Sequence, residues 1–125
     1  MIDYFYGVEI SSMLYTQILN NNRDFVALYK KGKYIVSKVA VVYYRKNRLP
    51  YNRLGITTGK KVGNAVARNR AKRIIRQAYR ENELSIPIGY DFVIVARTST
   101  GNGIVKSTDV SNFIKTRLIK ELEKC

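Results

Sequence analysis

The chain has no histidine and no tryptophan, and its one cysteine is the last residue, Cys125. Without histidine and with a lone thiol there is no ligand set for zinc. Ser–His and Cys–His nucleophilic catalysis likewise have no base to draw on. A single cysteine builds no disulfide framework, so a reducing, cytoplasmic setting is expected. No apolar run reaches the roughly eighteen residues of a membrane-spanning helix. The start, Met1-Ile2-Asp3-Tyr4-Phe5-Tyr6, lacks the basic opening of a secretory signal. Acid is scarce too, with nine Asp and Glu against 23 Lys and Arg. None lies between Phe25 and Arg80. A nuclease working through its own metal ions needs clustered carboxylates. Here Asp3, Glu9, Asp24, Asp91, Asp109, Glu121 and Glu123 are scattered, and Glu81 with Glu83 reads as the polar end of a helix.

What remains is a basic globular domain. A chain of 125 residues with 46% hydrophobic content supports one modest core. A formal net charge of +14 attracts polyanions and speeds encounter with them. An anionic membrane surface would also draw such a charge, but it calls for a helix with large apolar anchors. No such helix is present, so no membrane partner is expected.

In chain order, residues 1–18 are expected to be an N-terminal extension without an assigned role, and residues 19–125 a single domain. Asn22 is a plausible cap and Gly32 a plausible stop for a first helix, on which Phe25, Leu28 and Tyr29 share a face. On residue types alone that stripe reads as core. Residues 34–44 are β-branched and aromatic and predict one strand, apolar in part on both faces. Residues 53–58 predict the second strand of the same hairpin, after a polar turn carrying Pro50. Residues 90–96 predict the most deeply buried strand. Residues 97–108 read as loop, and a last helix capped by Ser107 or Thr108 presents Val110, Phe113, Ile114, Arg117 and Leu118 on one face.

Between these elements lies the stretch around which the chain is organised, from Gly59 to Arg80. At 100° per residue, Asn69, Lys72, Arg73, Arg76 and Arg80 share one side of a helix. Ala67, Ala71, Ile74, Ile75 and Ala78 share the other. With no acid in the run, no intrahelical ion pairs neutralise it. Arginine forks match phosphate oxygens, and Asn69 offers both a donor and an acceptor. Gly59 and Gly63 bracket Lys60 and Lys61 just before the helix. A Walker loop would close on Gly-Lys-Ser/Thr, whereas Gly63 is followed by Asn64, so no ATPase is expected. A turn opening a helix N-terminus with two lysines suits a phosphate backbone instead. Ten tyrosines and four phenylalanines supply rings that could stack on single-stranded bases or fill the core.

The run from Lys60 to Arg80, with Arg68-Asn69-Arg70 inside a long basic helix after Lys-Lys-Val-Gly-Asn-Ala-Val, resembles the signature of the bacterial ribonuclease P protein component. Asp24-Phe25 with Tyr29 and Gly32 resembles the family's first helix, Tyr43 falls in its aromatic strand, and Tyr90 to Arg97 resembles its last strand. The resemblance spans about residues 19–122. It implies an α/β (α+β) two-layer sandwich with a mixed sheet of about four strands and three helices. It also implies a left-handed β-α-β crossover through the basic helix. The implied function is that of the accessory subunit of an endoribonuclease that removes the 5′ leader from precursor tRNA. In the family the RNA subunit is the catalyst and uses Mg2+, and the protein alone binds no cofactor. Carried over by position, Lys60, Lys61, Arg68, Asn69, Arg70, Lys72, Arg73 and Arg76 contact the ribonuclease P RNA. Phe25, Tyr29, Tyr43 and Arg97 line the cleft for the leader. One departure stands out: the family's basic segment before the first helix reads Met13-Leu14-Tyr15-Thr16-Gln17-Ile18-Leu19-Asn20 here, without Arg or Lys. The rival reading is a ribosomal or RNA-assembly protein, which shares the basic surface but has no use for an aromatic cleft.

Overall fold

Helix α1 spans Asn22–Lys31. Its cap is one residue earlier than expected: the Asn21 side chain accepts the Arg23 amide at 2.8 Å. The Gly32 amide closes it on the Leu28 carbonyl. These elements come from a computed structural model, which describes residues 15–124. The aromatic start at Tyr4, Phe5 and Tyr6 and the terminal Cys125 lie outside the described residues.

One sheet carries the fold: β1 (Thr16–Ile18), β2 (Lys33–Val36), β3 (Ala40–Lys46), β4 (Asn52–Thr57) and β5 (Tyr90–Ala96), in the spatial order β1-β4-β5-β3-β2. Five strands replace the expected four or so. The expected strand over 34–44 is in fact the hairpin β2–β3. Ser37 turns the chain there: its amide and hydroxyl both donate to the Ala40 carbonyl. Strand β4 is not β3's hairpin partner. β5 inserts between them, antiparallel to β3 and parallel to β4. The reason is burial. All but one residue of β5 is buried, so it needs cover on both faces and a neighbour on both sides. Thr16–Ile18, assigned to the extension by sequence, forms the other sheet edge, parallel to β4.

Helix α2 (Ala65–Asn82) connects the parallel neighbours β4 and β5. It packs with the C-terminal helix on one face of the sheet. That C-terminal helix runs as α4 (Ser107–Phe113), a π-helical segment (Ile114–Leu118) and α5 (Ile119–Glu123). Between β5 and α4 the expected loop contains a short helix, α3 (Thr98–Gly101). Ala71, Ile75, Ala78 and Tyr79 of α2 meet Val42, Tyr44, Phe92 and Ile94 of the sheet in the main core. Ile74 is only partly buried against that core, and the expectation that Arg117 shares the apolar face fails. Arg117 is exposed, with its guanidinium over the Phe113 ring. Among the described residues, the opposite face of the sheet carries α1 alone, with Leu28 packed on Leu19 and Val93.

At the far end of α2, a buried polar cluster locks β1 in place. Glu83 Oε2 accepts from the Thr16 hydroxyl at 2.7 Å and from the Tyr15 amide at 2.8 Å. The Tyr79 hydroxyl lies 2.9 Å from Thr16 Oγ1. Burial pushes the Tyr79 phenol well above the ordinary tyrosine range, and its hydrogen bond to Thr16 only partly offsets this. A phenol raised in the folded state stays protonated after the unfolded chain begins to ionise near about pH 10. Stability tied to Tyr79 is therefore complete below that pH and lost above it. In melts from about pH 9 to about pH 11, Tyr79→Phe will lose stability less steeply than the native chain. Equal slopes would show that this phenol is not held protonated by the fold.

Candidate nucleic-acid interface

Helix α2 begins at Ala65, because the Asn64 side chain accepts the Ala67 amide at 3.0 Å. Arg68 therefore sits inside the first turn of the helix. A 3₁₀ turn over Lys60–Val62 precedes it, and Gly63, at φ 135°, takes a backbone conformation that disfavours any side chain. Lys60, Lys61, Asn69 and Arg73 are exposed, whereas Arg68, Arg70, Lys72 and Arg76 are half-buried. Arg68 is also a structural arginine: Nη1 donates to the Gly63 carbonyl at 2.7 Å and braces the turn against the helix. Arg70 reaches the Gly101 carbonyl at 3.5 Å, at the limit of a hydrogen bond. The expected basic face is thus real, with its most open charges at Lys60, Lys61 and Arg73.

The aromatic residues lie on the other side of the sheet. Successive strand residues point to opposite faces, so Val41 and Tyr43 of β3 and Val93 and Val95 of β5 turn away from α2. Tyr29 on α1 meets Tyr43 edge-on with ring centroids 4.9 Å apart. With Val41 and Val95 these two rings line an open groove of about 350 Å³. Phe25 is half-buried and packs against the small core of Leu19, Leu28 and Val93. A Cβ on Gly55 would collide with the Phe25 ring and come within 2.9 Å of the Leu19 carbonyl. Phe25 accordingly packs as core, as its residue type suggests, and is not among the four side chains that line the groove. Arg97 does not line the groove itself. It lies just past the end of β5, capping the short helix α3, and Nη1 donates to the Ser37 carbonyl at 3.0 Å.

Helix α3 joins the two surfaces. Thr98 donates to the Lys61 carbonyl at 3.1 Å, and Ser99 donates to the Lys38 carbonyl at 2.9 Å. These bonds gather Lys60, Lys61, Arg97 and Lys38 at one end of the sheet, where β4 and β5 both terminate. A band of positive charge therefore connects the basic helix to the groove around that end. The sequence offers no sign of this band, because Lys38 falls inside the strand expected over 34–44 and residues 97–101 fall in the expected loop. Val41 and Val95 are groove residues that residue type alone does not single out, although strand alternation sets Val41 on the face of Tyr43 and Val95 on that of Val93.

At the other end of the groove, charge is held rather than offered. Asp91 is fully buried and receives Arg53 Nε at 2.8 Å, Arg53 Nη2 at 2.7 Å and Asn47 Nδ2 at 2.9 Å. Arg45 lies 3.3 Å away, and Arg45 and Arg53 each also approach Asp24 on α1 at 3.5 Å. The four charged side chains of this cluster, Asp24, Arg45, Arg53 and Asp91, tie α1, and with it Phe25 and Tyr29, to β3, β4 and β5.

A family model described as Ribonuclease P matches residues 13–121. The chain belongs to the ribonuclease P protein family. Among curated relatives, the "Ribonuclease P protein component" of Clostridioides difficile (strain 630) is 42% identical over 103 residues, covering 80% of this chain and 90% of the relative. The protein of that name from Lachnoclostridium phytofermentans is 46% identical over 85 residues, covering 68% and 73%. Among solved structures, the ribonuclease P protein of Thermotoga maritima superposes with a TM-score of 0.71 at 33% identity, covering 87% of this chain and 97% of that one. That of Staphylococcus aureus gives 0.70 at 30% identity, covering 86% and 94%. The chain is thus a protein subunit of ribonuclease P, which works with ribonuclease P RNA, and the family role is RNA binding in the 5′ maturation of tRNA.

Proposed function

We propose that this chain is the accessory subunit of a ribonucleoprotein in which the RNA subunit performs the cleavage and the protein selects precursor tRNA by its 5′ leader. The observation that carries this reading is the placement of two unlike surfaces on opposite faces of one sheet. The basic face of α2 and its lead-in turn suit a folded, phosphate-dense RNA. The Tyr29–Tyr43 groove suits unpaired bases such as those of a single-stranded 5′ leader, which mature tRNA lacks.

In this reading Lys60, Lys61, Asn69 and Arg73 meet RNA phosphates directly, together with Arg70, Lys72 and Arg76. Arg68 contributes by shaping the turn as well as by its charge. Tyr29 and Tyr43 hold leader bases, and Arg97 takes a leader phosphate where the groove meets the basic band. Base–aromatic stacking is worth about 1–3 kcal/mol per base, so one or two leader bases suffice for precursor to outcompete mature tRNA. Magnesium belongs with the RNA subunit. The acids brought together here, Asp24 and Asp91, are neutralised by Arg45 and Arg53 and do not suit a hard dication. The setting is the cytoplasm, where tRNA precursors are processed.

The test is cleavage of a precursor tRNA by a bacterial ribonuclease P RNA at low magnesium, with and without the chain. Cleavage should be restored by the chain and absent with the chain alone. Lack of rescue, with the RNA still bound, would overturn the accessory-subunit reading. Cleavage by the protein without RNA would overturn it as well.

A further inference from the structure

Tyr34 opposes Tyr43 across the β2–β3 hairpin. Both lie on the groove side of the sheet, because Ile35 between Tyr34 and Val36 points into the main core. The Tyr34 and Tyr43 rings are 5.6 Å apart at 35°. Tyr43 therefore touches two further rings, Tyr29 above it on α1 and Tyr34 beside it on the edge strand. Tyr34 is 62% exposed, more than Tyr29 at 44%. An exposed aromatic on an edge strand adds little to a core. It does extend a flat apolar surface beyond the groove.

The charges around this extension have the sign a nucleic acid strand needs. Lys30 and Lys31 close α1 just before β2. Lys38 and Arg97 lie at the opposite end of the hairpin, where Arg97 is bonded to the Ser37 carbonyl. A strand crossing Tyr43 and Tyr34 thus has cationic side chains at both ends of its path. The nearby acids are engaged elsewhere, Asp24 and Asp91 with Arg45 and Arg53.

We propose that Tyr34 is an additional base-stacking residue that lengthens the leader-binding groove onto the edge strand β2, so that this chain holds at least one leader nucleotide beyond those at Tyr29 and Tyr43. The inference rests on the leader-binding reading above. It predicts that affinity for precursor tRNA rises with leader length over one step more than the groove alone provides.

The experiment uses the holoenzyme reconstituted from this chain and a bacterial ribonuclease P RNA. Equilibrium binding is measured for precursor tRNAs whose leaders are shortened one nucleotide at a time, and for mature tRNA. Tyr34→Ala should weaken binding of long-leader precursors about tenfold, corresponding to one stacked base. The loss should vanish once the leader is too short to reach β2. Tyr34→Phe should retain full affinity, and mature tRNA should bind all variants alike. Tyr43→Ala serves as the reference. If Tyr43→Ala loses leader-dependent affinity and Tyr34→Ala does not, the extension is refuted while the groove stands. If neither loses it, the leader-binding reading falls and the extension with it. A Tyr34→Ala loss that is equal for mature tRNA would also overturn the proposal, since the ring would then be acting away from the leader.

Discussion

Replacing Lys60, Lys61 and Arg73 together with alanine will weaken binding to ribonuclease P RNA and flatten its salt dependence, with the melting temperature unchanged. Each phosphate contact contributes about 0.7–0.9 to the slope of log affinity against log salt. If the native chain contacts about six to ten phosphates, its affinity will fall by about three to five decades between 50 and 200 mM salt. Removing three contacts lowers that slope by about two to three units. These three side chains are exposed, so their loss creates no cavity and strands no buried partner. Arg68→Ala makes the informative contrast. It removes one charge and also the bond to the Gly63 carbonyl, so it should lower the melting temperature as well as the affinity. Binding titrations across a salt series decide the matter. An unchanged slope in the triple variant would show that RNA docks elsewhere.

The second large effect is on stability. Asp91→Ala should destabilise the fold by about 3 kcal/mol, because removing one partner of a buried ion pair leaves the others uncompensated. The figure sits at the low end of the usual range because Arg45 and Arg53 are 31% and 26% exposed and recover some hydration. Burial by itself would raise the Asp91 carboxyl. The hydrogen bonds from Arg53 and Asn47 and the charges of Arg53 and Arg45 outweigh it and hold the group below the ordinary aspartate value. The same pairing holds the Arg53 guanidinium above its usual value. A depressed carboxylate contributes stability that is complete above the unfolded value near about 3.9 and is lost as pH falls through the folded one. Urea midpoints measured from neutral pH down to about pH 3 should show this acid loss in the native chain and a shallower one in Asp91→Asn. Because Asp24 shares the same arginines, the substitution also loosens α1, and leader discrimination should decline with it. A native-like midpoint in Asp91→Ala would refute the account of how α1 is held.

What the sequence determined by itself is local and periodic. The alternation of arginine and alanine from Asn64 to Asn82 specifies a helix with one charged and one small face, since a helix repeats every 3.6 residues whatever surrounds it. The apolar run at Tyr90–Ala96 has the right length and composition for a buried strand, and the structure places it there. The absence of acid through the middle of the chain settles the sign of its partner, and the motif around Arg68-Asn69-Arg70 settles the family.

Only the tertiary structure decided how these pieces meet. Nothing in the local pattern tells residues 34–44 from one long strand, because the break rests on a single serine bonding across its own turn. Nothing near Arg53 announces that β5 will lie between β4 and β3, or that Asp91 will be the carboxylate holding two arginines from different strands. Pairing of distant strands is chosen by the total area and charge it buries, and that sum leaves no periodic trace in any one segment. The same holds for the interface. Sequence reasoning named Tyr29 and Tyr43 separately but could not place Tyr34 beside them, bring Lys38 next to Arg97, or put the basic helix and the groove on opposite faces, because each of those relations exists only once the sheet has formed.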